Sequence, residues 1–422
     1  LELGEQSRVA PGGEYAESDG WLGFGQHNLY AFGSAGSRAI CEHFRLTGDT
    51  DWLRTMAPRL LRATTWIKNA RATTMRRDGA GEPMPYYGLI PRGEWCDIGE
   101  WEHWYFNSAF FYRSLRDIAD VLRSVDAQEA AAIQAEVQAF REDILRSVDR
   151  STDRHSDPPL IPLAPCVRQP YAGQQDLQAN IYGHYWSIAG PNVLMFCGVV
   201  EPDDERATWI LKWLEQRNGF LLGNARFGAG IDAKYGYPSM ITYLRRDEIT
   251  KVLLHLYGFR AYGMARDTAS TPEVYLEVKT GGTNPRWWTP CLPDRFANSR
   301  FLALVRNLLV REEGDSLYLL DAAPRRWLVE GEGLEIVNAP TYFGPLSLKT
   351  AYEADSGAIH CRVRLPSRVP AARTMLRLRH PTSAVLESVT INGQPWTDFD
   401  ASRERIRLPQ TTEDIQVTAR YK

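Results

Sequence analysis

Between about residues 25 and 262, apolar residues return every three or four positions, the spacing of helices with one buried stripe. Phe111, Leu115, Ile118 and Leu122 form one such stripe; Ala130, Ile133, Val137, Phe140, Ile144 and Val148 form the next. Acidic residues recur where the second helix of each pair would open, at Asp49-Thr50, Asp126 with Glu129, Pro202-Asp203 and Asp247. A carboxylate there accepts bonds from main-chain N–H groups that have no partner inside the helix. The pattern predicts four helical hairpins and one further helix near Ser299–Val310. Turns within the hairpins are short, whereas the connections between them, 73–102, 151–178, 218–236 and 263–298, are long. That alternation suits a ring of hairpins with its long loops gathered at one mouth. Long connections in a compact domain are commonly functional.

From about Asp315 the period shortens. Ile359, Cys361, Val363 and Leu365 alternate with polar residues, and Met375, Leu376 and Leu378 do so less cleanly. Asn392-Gly393 signals a tight hairpin, because a type I′ turn needs positive φ at both central positions. Some eight strands of this kind predict an antiparallel β-sandwich. The expected fold class is therefore α+β and multidomain, with helical hairpins over 1–312 and an antiparallel β-sandwich over 313–422.

Composition narrows the functions. Lys and Arg number 49 against 52 Asp and Glu, a net charge of −3, so no bulk charge recruits nucleic acid. No run reaches the roughly 18 apolar residues of a membrane span. The six cysteines lie far apart without a CxxC pair, so buried thiols are expected and no zinc spacing is present. No P-loop, GxSxG or HExxH motif occurs, and no feature asks for a metal or cofactor. The chain opens at Leu1 without a signal-peptide pattern. A removed leader would imply a periplasmic or secreted protein, and its absence a cytoplasmic one. Tryptophan gathers in two connections: Trp95, Trp101 and Trp104, then Trp287 and Trp288. Flat indoles in loops suit the apolar faces of sugars.

Three stretches carry a family resemblance: GLIPRGEWCDIGEW at 88–101, LYGFRAYGMARDT at 256–268 and EIVNAPTYFGPLSLKT at 335–350. Together with the order of hairpins and sandwich, they resemble the six-hairpin glycosidase superfamily, the (α/α)6-barrel sugar hydrolases and phosphorylases. Gly93, Glu94, Trp95, Cys96 and Asp97 are similar, with two substitutions, to the first five positions of the Gly-Asp-Trp-Asn-Asp-Gly loop of cellobiose-phosphorylase-like enzymes. The resemblance implies a general acid at the second acidic position, which is Asp97. It departs in helix number, since a complete barrel of this kind has twelve and about nine are counted here.

Glycoside cleavage needs a proton donor and a second carboxylate that activates water or attacks the sugar. Glu94, Asp97, Glu100 and Glu102 crowd nine residues among three tryptophans. Asp97 and Glu94 are the catalytic candidates there. Glu100 and Glu102 also suit the opening of the helix near 105, with Glu102 kept as a sugar-binding candidate beside Trp95, Trp101 and Trp104. The partner is expected from 263–298 as Glu273 or Glu277, although TPEVYLEVKTG also alternates like a strand. Asp232 is a lesser candidate; Arg286, Trp287 and Trp288 would line the same loop. Asn180 and His184, and below them His27, Asn107 and Tyr182, are candidates for sugar hydroxyls. The expected function is an inverting glycoside hydrolase acting on a carbohydrate substrate. A phosphorylase, a polysaccharide lyase and a non-catalytic sugar-binding fragment stay open. Phosphate stimulation, a new ultraviolet-absorbing product, or binding without turnover would distinguish them.

Overall fold

A computed structural model describes residues 9–10, 13–14, 35–95, 98–165, 190–227, 230–265, 268–274, 276–278, 286–288, 292–331, 333–411 and 413–422; at 9–10, 13–14, 35, 94, 95, 98–101, 276–278 and 286–288 it describes the main chain alone. The chain is a mixture of helices and sheets that divides into two compact units, Leu1–Glu42 with Asp49–Arg300, and His43–Gly48 with Phe301–Lys422.

Helices dominate the first unit, after a short hairpin of β1 (Val9–Ala10) and β2 (Gly13–Glu14). In chain order the α-helices are α1 (Ala35–Thr47), α2 (Thr50–Ala72), α3 (Tyr105–Leu122), α4 (Ala127–Ser151), α5 (Asn192–Phe196), α6 (Glu205–Gln216), α7 (Ala233–Arg245), α8 (Ile249–Tyr262) and α9 (Arg295–Leu309), with the end of α1 and the larger part of α9 belonging to the second unit. The two apolar stripes become the facing sides of α3 and α4, and every residue named in them is buried. Each large aliphatic or aromatic side chain so buried contributes about 1.5–3 kcal/mol.

The capping signals hold at two of four places. Asp49 accepts from Trp52 N at 2.9 Å, and Asp126 from Glu129 N at 3.0 Å. In the third hairpin the cap is Asp204, not Asp203, and it accepts from Arg206 N at 2.8 Å. In the fourth, Asp247 sits at φ 64° and its N–H bonds Leu244 O, so it closes α7 rather than opening α8. Glu248 takes the N-cap position of α8 without a side-chain bond. That turn is too tight for one residue to serve both helices.

A buried cation ties α2 to α4. The Arg71 guanidinium, 4.2 Å from the Phe140 ring, donates to Asp143 at 2.7 Å and to Gly88 O at 2.9 Å, and pairs with Glu136. Burial pulls it down to about 10, still charged at neutral pH. It thereby pins the connection that leads to the first acidic-aromatic segment.

In the second unit, β10 (Val310–Glu313), β11 (Ser316–Leu319), β15 (Arg373–Arg377), β19 (Arg405–Leu408) and β18 (Phe399–Asp400) form a five-stranded sheet in that order. A six-stranded sheet has the order β12 (Glu335–Thr341), β13 (Gly344–Glu353), β14 (Ala358–Arg364), β20 (Ile415–Tyr421), β16 (Leu386–Ile391) and β17 (Gln394–Trp396). Both sheets supply one shared core, Leu317, Leu376 and Ile406 from the first and Leu348, Ile359, Val363 and Val417 from the second. Asn392 and Gly393 lie at φ 49° and 78°, as the β16–β17 turn requires. The arrangement is not wholly antiparallel, because β11 runs parallel to β15. Those strands are separated by more than fifty residues, ample chain for the crossover that a parallel pair demands.

Cys41, Cys197 and Cys361 are buried. Among the described residues no helix is long and apolar enough to cross a membrane.

Candidate active site

The long connections of the helical unit carry short strands. The first holds β3 (Gly93–Trp95) and β4 (Ile98–Glu102), paired antiparallel at Gly93–Glu102 and Trp95–Ile98. Cys96 and Asp97, between them in sequence, lie outside the described residues. Glu94, Trp95, Glu100 and Trp101 are placed on these strands by their main chain. Glu100 and Glu102 do not open the following helix, because both belong to β4 and the N-cap of α3 is Trp104, which makes no side-chain cap bond.

The base of this hairpin is fixed by side chains. Trp104 is 1% exposed and its Nε1 donates to Gly93 O at 2.8 Å. Its ring is therefore occupied in holding the hairpin. His103 stacks on Tyr86 at 4.4 Å, with Nδ1 3.0 Å from Ile90 O. Burial drops its pKa to about 4, so this imidazole stays neutral at ordinary pH. Glu102 accepts from Arg92 at 3.2 Å through Oε1, while its buried Oε2 has no partner.

A second constellation joins two connections that are distant in sequence. The small sheet β5 (Phe220–Leu221), β6 (Asn224–Phe227) and β7 (Gly230–Ile231) delivers the chain to Asp232, the residue before α7. Asp232 is 2% exposed, and Lys234 Nζ donates to its Oδ2 at 3.1 Å. The same Nζ donates to Glu273 O at 2.6 Å. Burial pushes the Asp232 carboxyl up to about 7 against the pull of Lys234, and the carboxylates of Glu273 and Asp294 add to the rise. Its Oδ1 is buried without a hydrogen bond. Glu273 itself presents an exposed side chain. The result is a solvent-facing carboxylate whose main chain is clamped by a buried ammonium, which is in turn neutralised by a buried carboxylate.

Just beyond, β8 (Leu276–Val278) pairs antiparallel with β9 (Arg286–Trp288), with Glu277 opposite Trp287 and Val278 opposite Arg286. Within the strand-like alternation of 271–281, residues 276–278 form a strand. Asn180, His184, His27 and Tyr182 fall outside the described residues. Asn107 is 1% exposed, and neither atom of its carboxamide has a partner. Among the described residues no group of three or more His, Cys, Asp and Glu side chains is placed to hold a metal.

Lys234 was invisible to sequence reasoning. A lysine two residues after an aspartate is commonplace; only its burial, and an acceptor 39 residues further on, give it a role.

Neither a family model nor a curated protein matches the chain. Solved structures do. An α-L-rhamnosidase from Dictyoglumus thermophilum aligns with a TM-score of 0.52 at 8% identity, over 93% of this chain and 40% of that one. A protein described as a glycoside hydrolase aligns at 0.35 with 11% identity, over 94% and 72%. A GH127 β-arabinofuranosidase aligns at 0.34 with 13% identity, over 100% and 54%. The likeness to the rhamnosidase is one of fold, and the chain spans 40% of that protein's length.

Proposed function

We propose that this chain cleaves a glycosidic bond of an oligo- or polysaccharide with inversion, as an (α/α)-hairpin barrel hydrolase carrying a β-sandwich. The observation that carries this reading is the Asp232–Lys234–Glu273 clamp, which fixes the main chain of a residue with an exposed carboxylate against the start of α7. Glu273 is the base that activates water, and Asp97 donates the proton to the leaving oxygen. Glu94 on β3 and Glu277 on β8 are the alternative carboxylates. Asp232 and Lys234 are positioning residues, because a carboxyl 2% exposed is screened from a sugar while its partner's bond to Glu273 O is not disturbed by solvent. The tryptophans of both hairpins, Trp95, Trp101, Trp287 and Trp288, offer stacking faces, and Glu102, Arg286, Asn180 and His184 serve the hydroxyls. Support for the class comes from the fold shared with an α-L-rhamnosidase.

The test is a panel of aryl glycosides, with the anomer of the first-formed sugar read by NMR. The expected result is turnover of at least one member with inversion, and a loss of about a hundred- to ten-thousand-fold in kcat for Asp97→Asn. Retention would remove the water-activating role from Glu273, and full activity in a folded Asp97→Asn variant would remove the acid.

A further inference from the structure

His103 stands at the base of the β3–β4 hairpin, between the end of β4 and the N-cap of α3. Its Nδ1 lies 3.0 Å from Ile90 O. A carbonyl oxygen only accepts, so the hydrogen of that bond sits on Nδ1. The neutral ring then carries a bare lone pair on Nε2. Burial, helped by the charge of Arg92, outweighs the Ile90 bond and keeps the ring neutral. The imidazole is also held in orientation. It stacks on Tyr86 with the ring centres 4.4 Å apart and the planes 8° from parallel. Its acceptor is fixed in turn, because Ile90 N donates to Ser108 Oγ at 3.3 Å. The chain beyond it is tied by Trp104 Nε1 to Gly93 O and by Tyr105 N to Leu163 O.

His255 supplies the comparison within the chain. Its Nδ1 lies 2.9 Å from Gly223 O, so the same argument gives it the same tautomer. Yet His255 is 0% exposed, and its Nε2 is sealed in the interior. His103 keeps 6% of its surface open, and among the described residues no group bonds its Nε2. With Nδ1 turned to Ile90 and one face on Tyr86, the edge left to the ring is the one that carries Nε2. Glu102, its neighbour, already accepts from Arg92 through Oε1. His103 therefore offers an oriented acceptor on the hairpin that leads to and from Asp97.

We propose that His103 is a substrate-binding residue whose Nε2 accepts a hydrogen bond from a sugar hydroxyl at the base of the β3–β4 hairpin. An acceptor locked in one tautomer and one orientation selects a ligand that presents a donor there and rejects an analogue that lacks it. The choice of a sugar rests on the hydrolytic reading. Binding is read without turnover, so it stands or falls separately from catalysis.

The experiment follows the ring nitrogens of His103 by NMR in the full chain while D-glucose, D-galactose, D-mannose and L-rhamnose are added one at a time, against dimethyl sulfoxide, which has no hydroxyl. At pH 7 the free protein should show Nδ1 protonated and Nε2 bare. At least one sugar should move the Nε2 resonance saturably and leave that of His255 in place. His103→Asn keeps a donor where Nδ1 stood and removes Nε2, so it should weaken that sugar about three- to tenfold with the fold intact. A purely structural His103 would leave sugar binding in His103→Asn unchanged. A hydrogen on Nε2 at pH 7, no saturable Nε2 shift with any of the four sugars, or unchanged binding in a folded His103→Asn variant overturns the proposal. Turnover of an aryl glycoside without an Nε2 shift would sink it and leave the hydrolytic reading standing, and a shift without turnover would do the reverse. The wild-type spectra decide the matter even where the variant fails to fold.

Discussion

Lys234 Nζ serves two acceptors, a carboxylate and a main-chain carbonyl, in a place 3% exposed to solvent. Its cost and its use both come from burial. Asp232 titrates near 7 in the folded chain against 3.8 in an unfolded one. Between those values the folded state holds the extra proton, so this group's stabilising contribution is full below about pH 4 and is lost as pH rises through about 7. Asp232→Asn should therefore flatten the fall of the urea midpoint over that interval. Lys234→Met should cost about 3–5 kcal/mol at pH 7.5, where Asp232 must take up a proton once its partner is gone, and less at pH 5, where it already holds one. Equal losses at both pH values would mean that the pair is not coupled as described.

At the scale of elements, the helical unit works by pinning connections to helices. Gly88 lies at φ 72°, and a Cβ there would run into the Asp143 carboxylate that Arg71 holds. Gly88→Ala is expected to destabilise the unit by at least about 2 kcal/mol, by denaturant midpoint, from the backbone strain together with the displaced carboxylate. A midpoint within error of wild type would show that Asp143 moves freely. The stripes of α3 and α4 were legible because eighteen and twenty-five residues give several turns of a repeating pattern. The strands inside the connections were not, since β3, β8 and β9 have three residues each, too few for alternation to rise above chance. Asp247 misled for a different reason: an acidic residue between helices signals a boundary without saying which helix it serves.

At the scale of the molecule, the change of period near residue 315 made the succession of helices and strands legible, and the shared core of Leu348, Ile359, Val363 and Leu376 follows from it. The parallel pairing of β11 with β15 was not, because neither strand encodes a partner more than fifty residues away. The candidate site divides in the same way. Its carboxylates could be named from residue type and setting, whereas the clamp exists through contacts between distant elements. The central claim, that the clamp presents Glu273 as a working carboxylate, is tested most directly by the kcat of Glu273→Gln on a glycoside that the wild type cleaves. A fall of about a hundred- to ten-thousand-fold with the fold intact by circular dichroism is predicted, and a folded variant that keeps the wild-type rate would contradict it.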